Sequence, residues 1–278
     1  MHDSSPSPYR ITPQPEGEGN EPVSLTIVPN LRGAAEFEWS PATARLRNVH
    51  GFNSMDARSR SFNLIRAKLT SIGRTQKMRM IGVVSATPNV GKSFVSANVA
   101  AAMSRDPRVQ TYLVDMDLRR GTIRDIFGIE TDFGLATYFE SARSDETPPA
   151  FCPAGESLII LPNVPGQMRS AELLAGERST KLLQAMRESA ESNFFIFDLP
   201  PVFANDDAAN VIELLDGYVL VAEEGQTTQR EIEAAIEMLG EQRMIGVILN
   251  KYRGGMVSEG RGIEDRYASE YYAADQEA

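Results

Sequence analysis

The sequence predicts an α/β protein with a mainly parallel, doubly wound sheet and helices on both of its faces. One observation is that short apolar runs alternate with segments whose apolar residues recur every three or four positions. Strands buried on both faces and one-sided helices have these two patterns. A second observation is a loop ending in Gly91-Lys92-Ser93, which connects the first such run to a helical segment. Alternation of this kind is typical of layers built around a parallel sheet.

The elements can be assigned in chain order. Apolar residues at helical spacing within residues 58–72 predict an amphipathic helix before the first strand. Three further one-sided helices are predicted around Val99, Leu183 and Ile236. We expect all the strands to be buried on both faces, because their apolar residues do not alternate with polar ones. The predicted strands are residues 80–84, 112–114, 158–161, 194–197, 218–221 and 245–249.

The composition excludes several classes of function. The 278 residues, enough for one large domain or two modest ones, carry 28 Lys and Arg against 38 Asp and Glu. The formal charge of −10 repels phosphate backbones, so nucleic-acid binding is disfavoured. One cysteine and two histidines are too few for a thiolate cluster or a histidine-based metal site. No apolar run approaches the ~20 residues of a membrane helix and no secretory signal is evident, so we expect a cytoplasmic protein.

The distribution of proline and charge predicts three regions. Residues 1–56 hold seven of the sixteen prolines and are expected to form a flexible arm. Residues 57–256 hold the predicted elements and form the main domain, and residues 257–278 form an acidic tail that contains tyrosines. From Ala57 to Arg105 every charged residue is positive. A solvated helix face and a binding surface explain this basic region equally well.

Residues 86–93 match a phosphate-binding loop in which alanine replaces the usual first glycine. The predicted strand before it and the predicted helix after it supply the context that such a loop requires. Backbone N–H groups there surround phosphate oxygens, the lysine reaches the β- and γ-phosphates, and the serine hydroxyl ligates Mg²⁺. We therefore expect a bound nucleotide with Mg²⁺. The predicted nucleotide contacts are Ala86, Thr87, Asn89, Val90, Gly91, Lys92, Ser93 and Phe94.

Aspartates follow two of the predicted strands at their carboxyl ends. Asp115 and Asp117 come directly after the run at 112–114, and Asp198 follows the run at 194–197. The carboxyl ends of parallel strands lie along one edge of a sheet, where open α/β sheets bind ligands. We therefore expect these carboxylates to face the phosphate loop, where they can hold metal and position a nucleophile.

The chain resembles the cytoplasmic kinase domain of the bacterial tyrosine kinases, or BY-kinases, which act in capsule and exopolysaccharide synthesis. The similarity spans roughly residues 60–272 and includes the ordered motifs ATPNVGKS, LVDMDLRR, FIFDLPPV, SAELLAGE, LLDGYVLV and GVILN. Alanine at the start of the phosphate loop is common in that family. The resemblance implies a P-loop NTPase fold of the deviant Walker A type. It also implies an ATP-dependent protein tyrosine autokinase that regulates exopolysaccharide or capsule synthesis and export.

The resemblance implies roles for individual residues as well. Lys92 would bind the phosphates of ATP, and Asp115 and Asp117 would lie beside the γ-phosphate as the other catalytic residues. Asp115 would accept the proton of the tyrosine hydroxyl, and Asn250 would contact the adenine. The magnesium ligands that it implies are Ser93, Asp115 and Asp198.

Tyr267, Tyr271 and Tyr272 lie in the tail, where six acidic residues outnumber two arginines from Ser258 onward. They resemble the acceptor tyrosines that BY-kinases phosphorylate between neighbouring subunits, which implies self-association. The tail and the basic region at 58–79 have opposite charges, and we hypothesise that they attract each other and that phosphorylation alters the contact. The family also implies a membrane-embedded polysaccharide chain-length regulator that activates the kinase and recruits it to the inner face of the membrane.

Two departures keep other functions open. Arg60, Asn63 and Arg66 stand where the family usually has the Glu, Arg and Arg of its subunit contact, so a closed ring is in doubt. This departure and the short tyrosine cluster favour, as one alternative, a nucleotide-binding regulator of polysaccharide export without kinase activity. The other alternative is a positioning ATPase of the ParA or MinD type. Thr87 opposes that reading, because such proteins usually carry a second lysine at this place.

Overall fold

A computed structural model describes residues 27–143, 145–166 and 169–252 of the chain. The strands are β1 (Ala35–Phe37), β2 (Met80–Ser85), β3 (Gln110–Asp115), β4 (Phe151–Pro153), β5 (Leu158–Leu161), β6 (Asn193–Asp198), β7 (Gly217–Glu223) and β8 (Met244–Asn250). The helices are α1 (Pro41–Leu46), α2 (Arg60–Thr75), α3 (Lys92–Met103), α4 (Thr122–Phe127), α5 (Leu135–Glu140), α6 (Ser170–Leu174), α7 (Glu177–Glu188), α8 (Asp207–Ile212) and α9 (Gln229–Leu239). None of the helices in these described ranges is long and apolar enough to cross a membrane.

The eight strands form one sheet in the order β1-β4-β5-β3-β6-β2-β7-β8. Six neighbouring strands of the sheet run parallel to one another, namely β5, β3, β6, β2, β7 and β8. Strand β4 is antiparallel to β5 and parallel to β1. Apolar side chains of α2, α3 and α4 cover one face of the sheet, and those of α5 to α9 cover the other. The predicted doubly wound α/β fold is therefore confirmed.

All six predicted strands are present, but their burial differs from the prediction at one edge. The strands β2, β3, β5, β6 and β7 are buried along nearly their whole length. The expectation of two buried faces is wrong for β8, where Val247 is 45% exposed and Leu249 is 53% exposed. The reason is its place in the sheet, because among the residues that the structure describes β8 is an edge strand that pairs with β7 alone.

The expected flexible arm of residues 1–56 is contradicted from residue 27 onward, and residues 1–26 lie outside the described part of the chain. In residues 27–56, β1 pairs with β4, and Pro41 occupies the first turn of α1, where proline is tolerated. Trp39 is buried and packs against Phe37, Phe52 and Phe127. Aromatic burial therefore holds this segment on the domain despite its proline content.

The side chain of Asn98 on α3 anchors the end of this segment. Its Oδ1 accepts hydrogen bonds from the backbone N–H groups of His50, at 2.7 Å, and Gly51, at 3.1 Å. Its Nδ2 donates to the carbonyl oxygens of Asn48 and Phe94, each at 3.0 Å. Gly51 is needed because a Cβ there would collide with the backbone oxygen of Asn98. The segment is thus attached to the helix that follows the phosphate loop.

Helix α2 confirms the predicted amphipathic helix and follows a turn of 3₁₀ helix at residues 57–59. Its buried residues Phe62, Leu69 and Ile72 face the sheet side of the helix and pack in the same apolar layer as α3. The ring of Phe62 lies edge to face against that of Phe94, with 5.8 Å between the ring centroids. Lys68 and Arg74 are exposed on the outer face of α2, whereas Arg60 and Arg66 are half-buried.

Replacing Asn98 with alanine tests the anchor. The N–H groups of His50 and Gly51 would remain buried without an acceptor, so we expect the free energy of unfolding to fall by about 2–4 kcal/mol. Urea unfolding followed by the fluorescence of Trp39, the only tryptophan of the chain, measures this loss. Asn210→Ala, at an exposed position of α8, is the matched control and should change the free energy by less than about 0.5 kcal/mol. Equal stability of the two variants would contradict the anchoring role.

Candidate active site

The phosphate loop connects the carboxyl end of β2 to the amino end of α3, as predicted. Its backbone turns through two left-handed positions, Asn89 at φ 66° and Gly91 at φ 87°. Glycine is required at position 91, because a Cβ there would collide with Nδ2 of Asn250 as well as strain the backbone. The loop is further fixed by Ser85, whose hydroxyl donates to the carbonyl oxygen of Thr87 at 2.9 Å.

A buried ion pair joins the loop lysine to the end of β6. Nζ of Lys92 lies 2.8 Å from Oδ1 of Asp198, and the two side chains are 7% and 0% exposed. Asp198 also accepts hydrogen bonds from the hydroxyls of Ser93, at 2.6 Å, and Ser96, at 2.7 Å. A buried carboxylate is tolerated only when its charge and its hydrogen-bonding capacity are both satisfied, and these three partners do so.

Asp115 lies directly beside Asp198 because the two residues are register partners on the neighbouring strands β3 and β6. Its Oδ1 accepts from the N–H of Asp117 at 3.2 Å and its Oδ2 from the N–H of Ile123 at 3.1 Å. Complete burial raises the pKa of Asp115 well above its ordinary value, and the charge of Asp198 adds to this, whereas Lys92 opposes it. Two such carboxylates favour cations in the space beside them.

Asp117 completes the acidic end of the site. It is buried except for 5% of its surface, and burial is also the main cause that raises its pKa. Its Oδ1 accepts from the N–H of Arg120 at 3.2 Å, and the guanidinium of Arg120 lies 3.4 Å from Oδ1 of Asn89 in the phosphate loop. The segment after β3 is thus tied to the loop from the side opposite Asn250.

Residues at the end of β8 close the other side of the loop. Nδ2 of Asn250 donates to the carbonyl oxygen of Val90 at 2.8 Å. Nζ of Lys251 donates to the carbonyl oxygen of Asn89 at 2.9 Å and lies 2.8 Å from a carboxylate oxygen of Glu223. Asn250 therefore adjoins the phosphate loop, and its contact with adenine stays a prediction.

Three polar residues of this site escaped the sequence-based prediction. Ser96 contacts Asp198, and Thr122 donates its hydroxyl hydrogen to Ser93 at 2.8 Å. Lys251 directly follows the predicted residue Asn250. A signal was available only for Ser96, which lies close to one helical turn after Ser93 on α3 and therefore points to a similar side of the helix.

Not every predicted residue has its side chain at the site. The ring of Phe94 packs against α2, which leaves only its backbone near the loop. The side chains of Ala86 and Val90 are buried in the two apolar layers. The predicted acceptors Tyr267, Tyr271 and Tyr272 lie outside the described residues.

The residues present fit a magnesium ion that is bound together with nucleotide phosphates. Within the described ranges, no group of three or more His, Cys, Asp or Glu side chains forms a metal cage of its own. Mg²⁺, however, usually takes one or two protein oxygens and completes its shell with water and phosphate oxygens. The hydroxyl of Ser93 and the carboxylate of Asp198, which lie 2.6 Å apart, are oxygens of this kind.

Comparison with known proteins places this geometry in a family. Residues 76–253 match a family model described as ParA: NUBPL iron-transfer P-loop NTPase. The tyrosine-protein kinase YwqD of Bacillus subtilis (strain 168) is 30% identical over 195 residues, which cover 69% of this chain and 80% of that protein. The chain belongs to the bacterial tyrosine kinases. This BY-kinase therefore has the fold of the ParA type of P-loop NTPase.

The chain spans about a quarter of the length of one Escherichia coli relative. The tyrosine-protein kinase etk of Escherichia coli (strain K12) is 29% identical over 71% of this chain, but the match covers 27% of that protein. The solved kinase domain of the Escherichia coli tyrosine kinase ETK has a TM-score of 0.65 at 23% identity, covering 82% of this chain and 94% of that domain. This likeness shows a shared fold.

Lys92→Met tests the charge balance of the BY-kinase site. The carboxylates of Asp115 and Asp198 would lose the buried cation, so we expect the free energy of unfolding at about pH 8 to fall by about 3–5 kcal/mol. Without the lysine, the pKa of Asp115 rises further, and the folded chain then holds more protons than the unfolded chain. Stability must therefore increase as the pH falls through the raised pKa, so the loss should be smaller at about pH 6.

Urea unfolding at the two pH values measures both effects. Lys181→Met is the matched control, because Lys181 forms an ion pair with Glu177 on the exposed surface of α7. Its effect should stay below about 1 kcal/mol at either pH. A Lys92→Met loss that does not depend on pH would refute the coupling between the lysine and the carboxylates.

Proposed function

We propose that the protein is an ATP-dependent protein tyrosine autokinase that regulates the synthesis and export of an exopolysaccharide or capsule. The observation that carries the proposal is the juxtaposition of Lys92 and Ser93 with the carboxylates of Asp115 and Asp198. Phosphoryl transfer depends mainly on positioning and charge neutralisation, which such a cluster supplies. Relatives named as tyrosine-protein kinases, and one named as a succinoglycan biosynthesis transport protein, support the same activity and process.

In the proposed reaction, the hydroxyl oxygen of a tail tyrosine attacks the γ-phosphorus of ATP and the bond to ADP breaks. Asp115 accepts the tyrosine proton, because a raised pKa makes the ionised carboxylate a stronger base. Asp117 positions the hydroxyl, and Lys92 binds the β- and γ-phosphate oxygens. The proposed acceptors are Tyr267, Tyr271 and Tyr272, presented by a neighbouring subunit.

The nucleotide and metal contacts follow the same arrangement. The backbone of the phosphate loop surrounds the phosphates at the start of α3, and Asn250 contacts the adenine. Ser93, Asp115 and Asp198 would hold Mg²⁺, with Asp198 acting through water. When bound, Mg²⁺ neutralises negative charge on the β- and γ-phosphate oxygens.

The relatives also support a membrane-associated partner. The succinoglycan biosynthesis transport protein ExoP of Rhizobium meliloti (strain 1021) is 30% identical over 62% of this chain, and the match covers 22% of that protein. The proposed partner is a membrane-embedded chain-length regulator of polysaccharide export. It would activate this protein in the cytoplasm and recruit it to the inner face of the membrane.

Iron transfer, which the matching family model mentions in its description, is not supported by the residues present. Iron–sulfur clusters are usually held by several cysteine thiolates, and this chain has one cysteine, Cys152. That thiol is buried, and burial raises its pKa to about 11. A nucleotide-binding regulator without kinase activity is the better second candidate. Asn63, at a position of the family's subunit contact, is hydrogen-bonded within the chain to Arg105 and Ser54.

Incubation with Mg-ATP followed by mass-spectrometric mapping of phosphotyrosine tests the proposed activity. We expect label on Tyr267, Tyr271 or Tyr272 in the parent protein, and a loss of at least about 100-fold in Lys92→Met. Lys181→Met should keep full labelling. Circular dichroism before the assay ensures that each variant is folded. Label that persists in folded Lys92→Met would overturn the proposal, and no label in the presence of a candidate activator would favour the non-kinase regulator.

The proton acceptor is tested by comparing Asp115→Asn with Asp117→Asn. Loss of a general base costs about 10²–10⁴-fold in the rate of the chemical step, so Asp115→Asn should show a loss of that size. Affinity for a fluorescent ADP analogue should stay within about tenfold of the parent value, because the phosphate loop is intact. A larger rate loss in Asp117→Asn than in Asp115→Asn would assign the role of base to Asp117.

A further inference from the structure

A basic cavity lies at the end of the sheet opposite the phosphate loop. Its volume is about 230 Å³, and residues next to the amino ends of β2, β3 and β6 line it. Arg74, Arg79 and Arg108 supply its positive charge, and Phe194 and Met103 are among its apolar lining residues. The strands of six residues that separate it from the active site are about 20 Å long. The cavity is therefore distinct from the nucleotide site.

The charge of this cavity is only partly balanced within the described chain. Arg108 uses both carboxylate oxygens of Asp106, at 2.8 and 2.7 Å. These hydrogen bonds are the main cause that lowers the pKa of Asp106 to about 2, and the nearby charge of Arg74 contributes to the same shift. The guanidinium groups of Arg74 and Arg79 have no hydrogen bond or ion pair with any residue that the structure describes. Glu191 is then the one remaining acidic side chain of the lining.

We propose that this cavity binds a phosphotyrosine of the C-terminal tail, residues 253–278, and so holds the phosphorylated tail away from the active site. The inference depends on the proposed function, which supplies the phosphotyrosine. Two guanidinium groups without a hydrogen-bonded partner fit a phosphate carried on an aromatic ring, since arginine binds phosphate oxygens in a bidentate manner and also stacks on aromatic faces. The tail is a suitable occupant because six acids oppose two arginines from Ser258 onward.

The length of the tail allows the contact. Tyr267 lies fifteen positions after Tyr252, where the described chain ends, and an extended chain of that length spans about 50 Å. This exceeds the length of the strands between the two ends of the sheet, so the tail of the same chain is long enough to reach the cavity. Each added phosphate contributes close to two negative charges and strengthens the attraction.

The two arginines have different alternatives to this role. Arg74 lies in the last turn of α2, where a positive charge also offsets the negative end of the helix dipole. Arg79 lies outside the helix, next to the start of β2, and its aliphatic stem passes close to Gly73. A helix-end role therefore predicts an effect on stability for Arg74 alone, whereas ligand binding predicts an effect on affinity for both.

Fluorescence anisotropy with synthetic peptides of residues 262–278 tests the proposal. The full-length, unphosphorylated protein is assayed without nucleotide, so the result does not depend on kinase activity. We expect the peptide with phosphotyrosine at 267, 271 or 272 to bind at least about tenfold more tightly than the unphosphorylated peptide. Arg79→Gln and Arg74→Gln should each weaken binding by about tenfold. Arg230→Gln should leave binding unchanged, because Arg230 lies on α9, between β7 and β8 in the chain, and does not line the cavity.

Three further measurements determine what occupies the cavity. A peptide with phosphoserine at 269 should bind more weakly than the phosphotyrosine peptides, because it lacks the ring. Inorganic phosphate is added as a competitor of the labelled phosphopeptide. If it displaces the peptide at the concentration at which unlabelled phosphopeptide does so, the cavity is a simple anion site and the proposal is overturned. Binding to phosphatidylglycerol vesicles that Arg79→Gln abolishes, without peptide binding, would replace the tail by a membrane surface. Equal peptide affinity of the parent and both arginine variants, with lower thermal stability of Arg74→Gln, would assign only the helix-end role.

Discussion

The buried contact between Lys92 and Asp198 is the interaction on which the rest of the structure depends. A charge at 0% exposure, such as that of Asp198, is stable only if a partner of opposite sign is held against it. Here that partner comes from the first residue of α3, and two serine hydroxyls of the same helix complete the hydrogen bonds. The start of the helix, the phosphate loop and the end of β6 must therefore form together. Asp115 adds a second buried carboxylate next to the first and makes the requirement for positive charge stronger.

The order of the strands explains why these groups meet. Placing β6 between β2 and β3 brings the phosphate loop and the aspartates to neighbouring strand ends, at the middle of the sheet. The outer strands contribute by other means. The last residue of β8 donates to the phosphate loop, and the segment that contains β1 is attached through Asn98 to the helix that starts at Lys92. Helix α3 and the phosphate loop before it are thus held by one segment that precedes β2 and by one that follows β7.

Charge is distributed in opposite ways at the two ends of the sheet. Carboxylates collect at the carboxyl ends of β3 and β6, where they favour cations, whereas arginines collect at the amino ends. The basic region at 57–105, which the sequence left open between a solvated face and a binding surface, contributes Arg74 and Arg79 to the second end. The negatively charged tail is repelled by the carboxylates at one end and attracted by the arginines at the other. In the proposed kinase, this difference would separate the phosphorylated tail, the product, from the active site.

The sequence by itself determined the strands, the main helices, the phosphate loop and the aspartates that face it. These features depend on local patterns, namely apolar periodicity and residue spacing within one or two elements. Tertiary structure decided what those patterns do not encode. Burial of Trp39 converted part of a proline-rich arm into a strand and a helix, and an edge position exposed Val247 although its run resembles the inner strands. Thr122 and Lys251 contact the phosphate loop from segments that are distant from it in sequence. Contacts of this kind leave no local pattern in the sequence, so they could not be predicted from it.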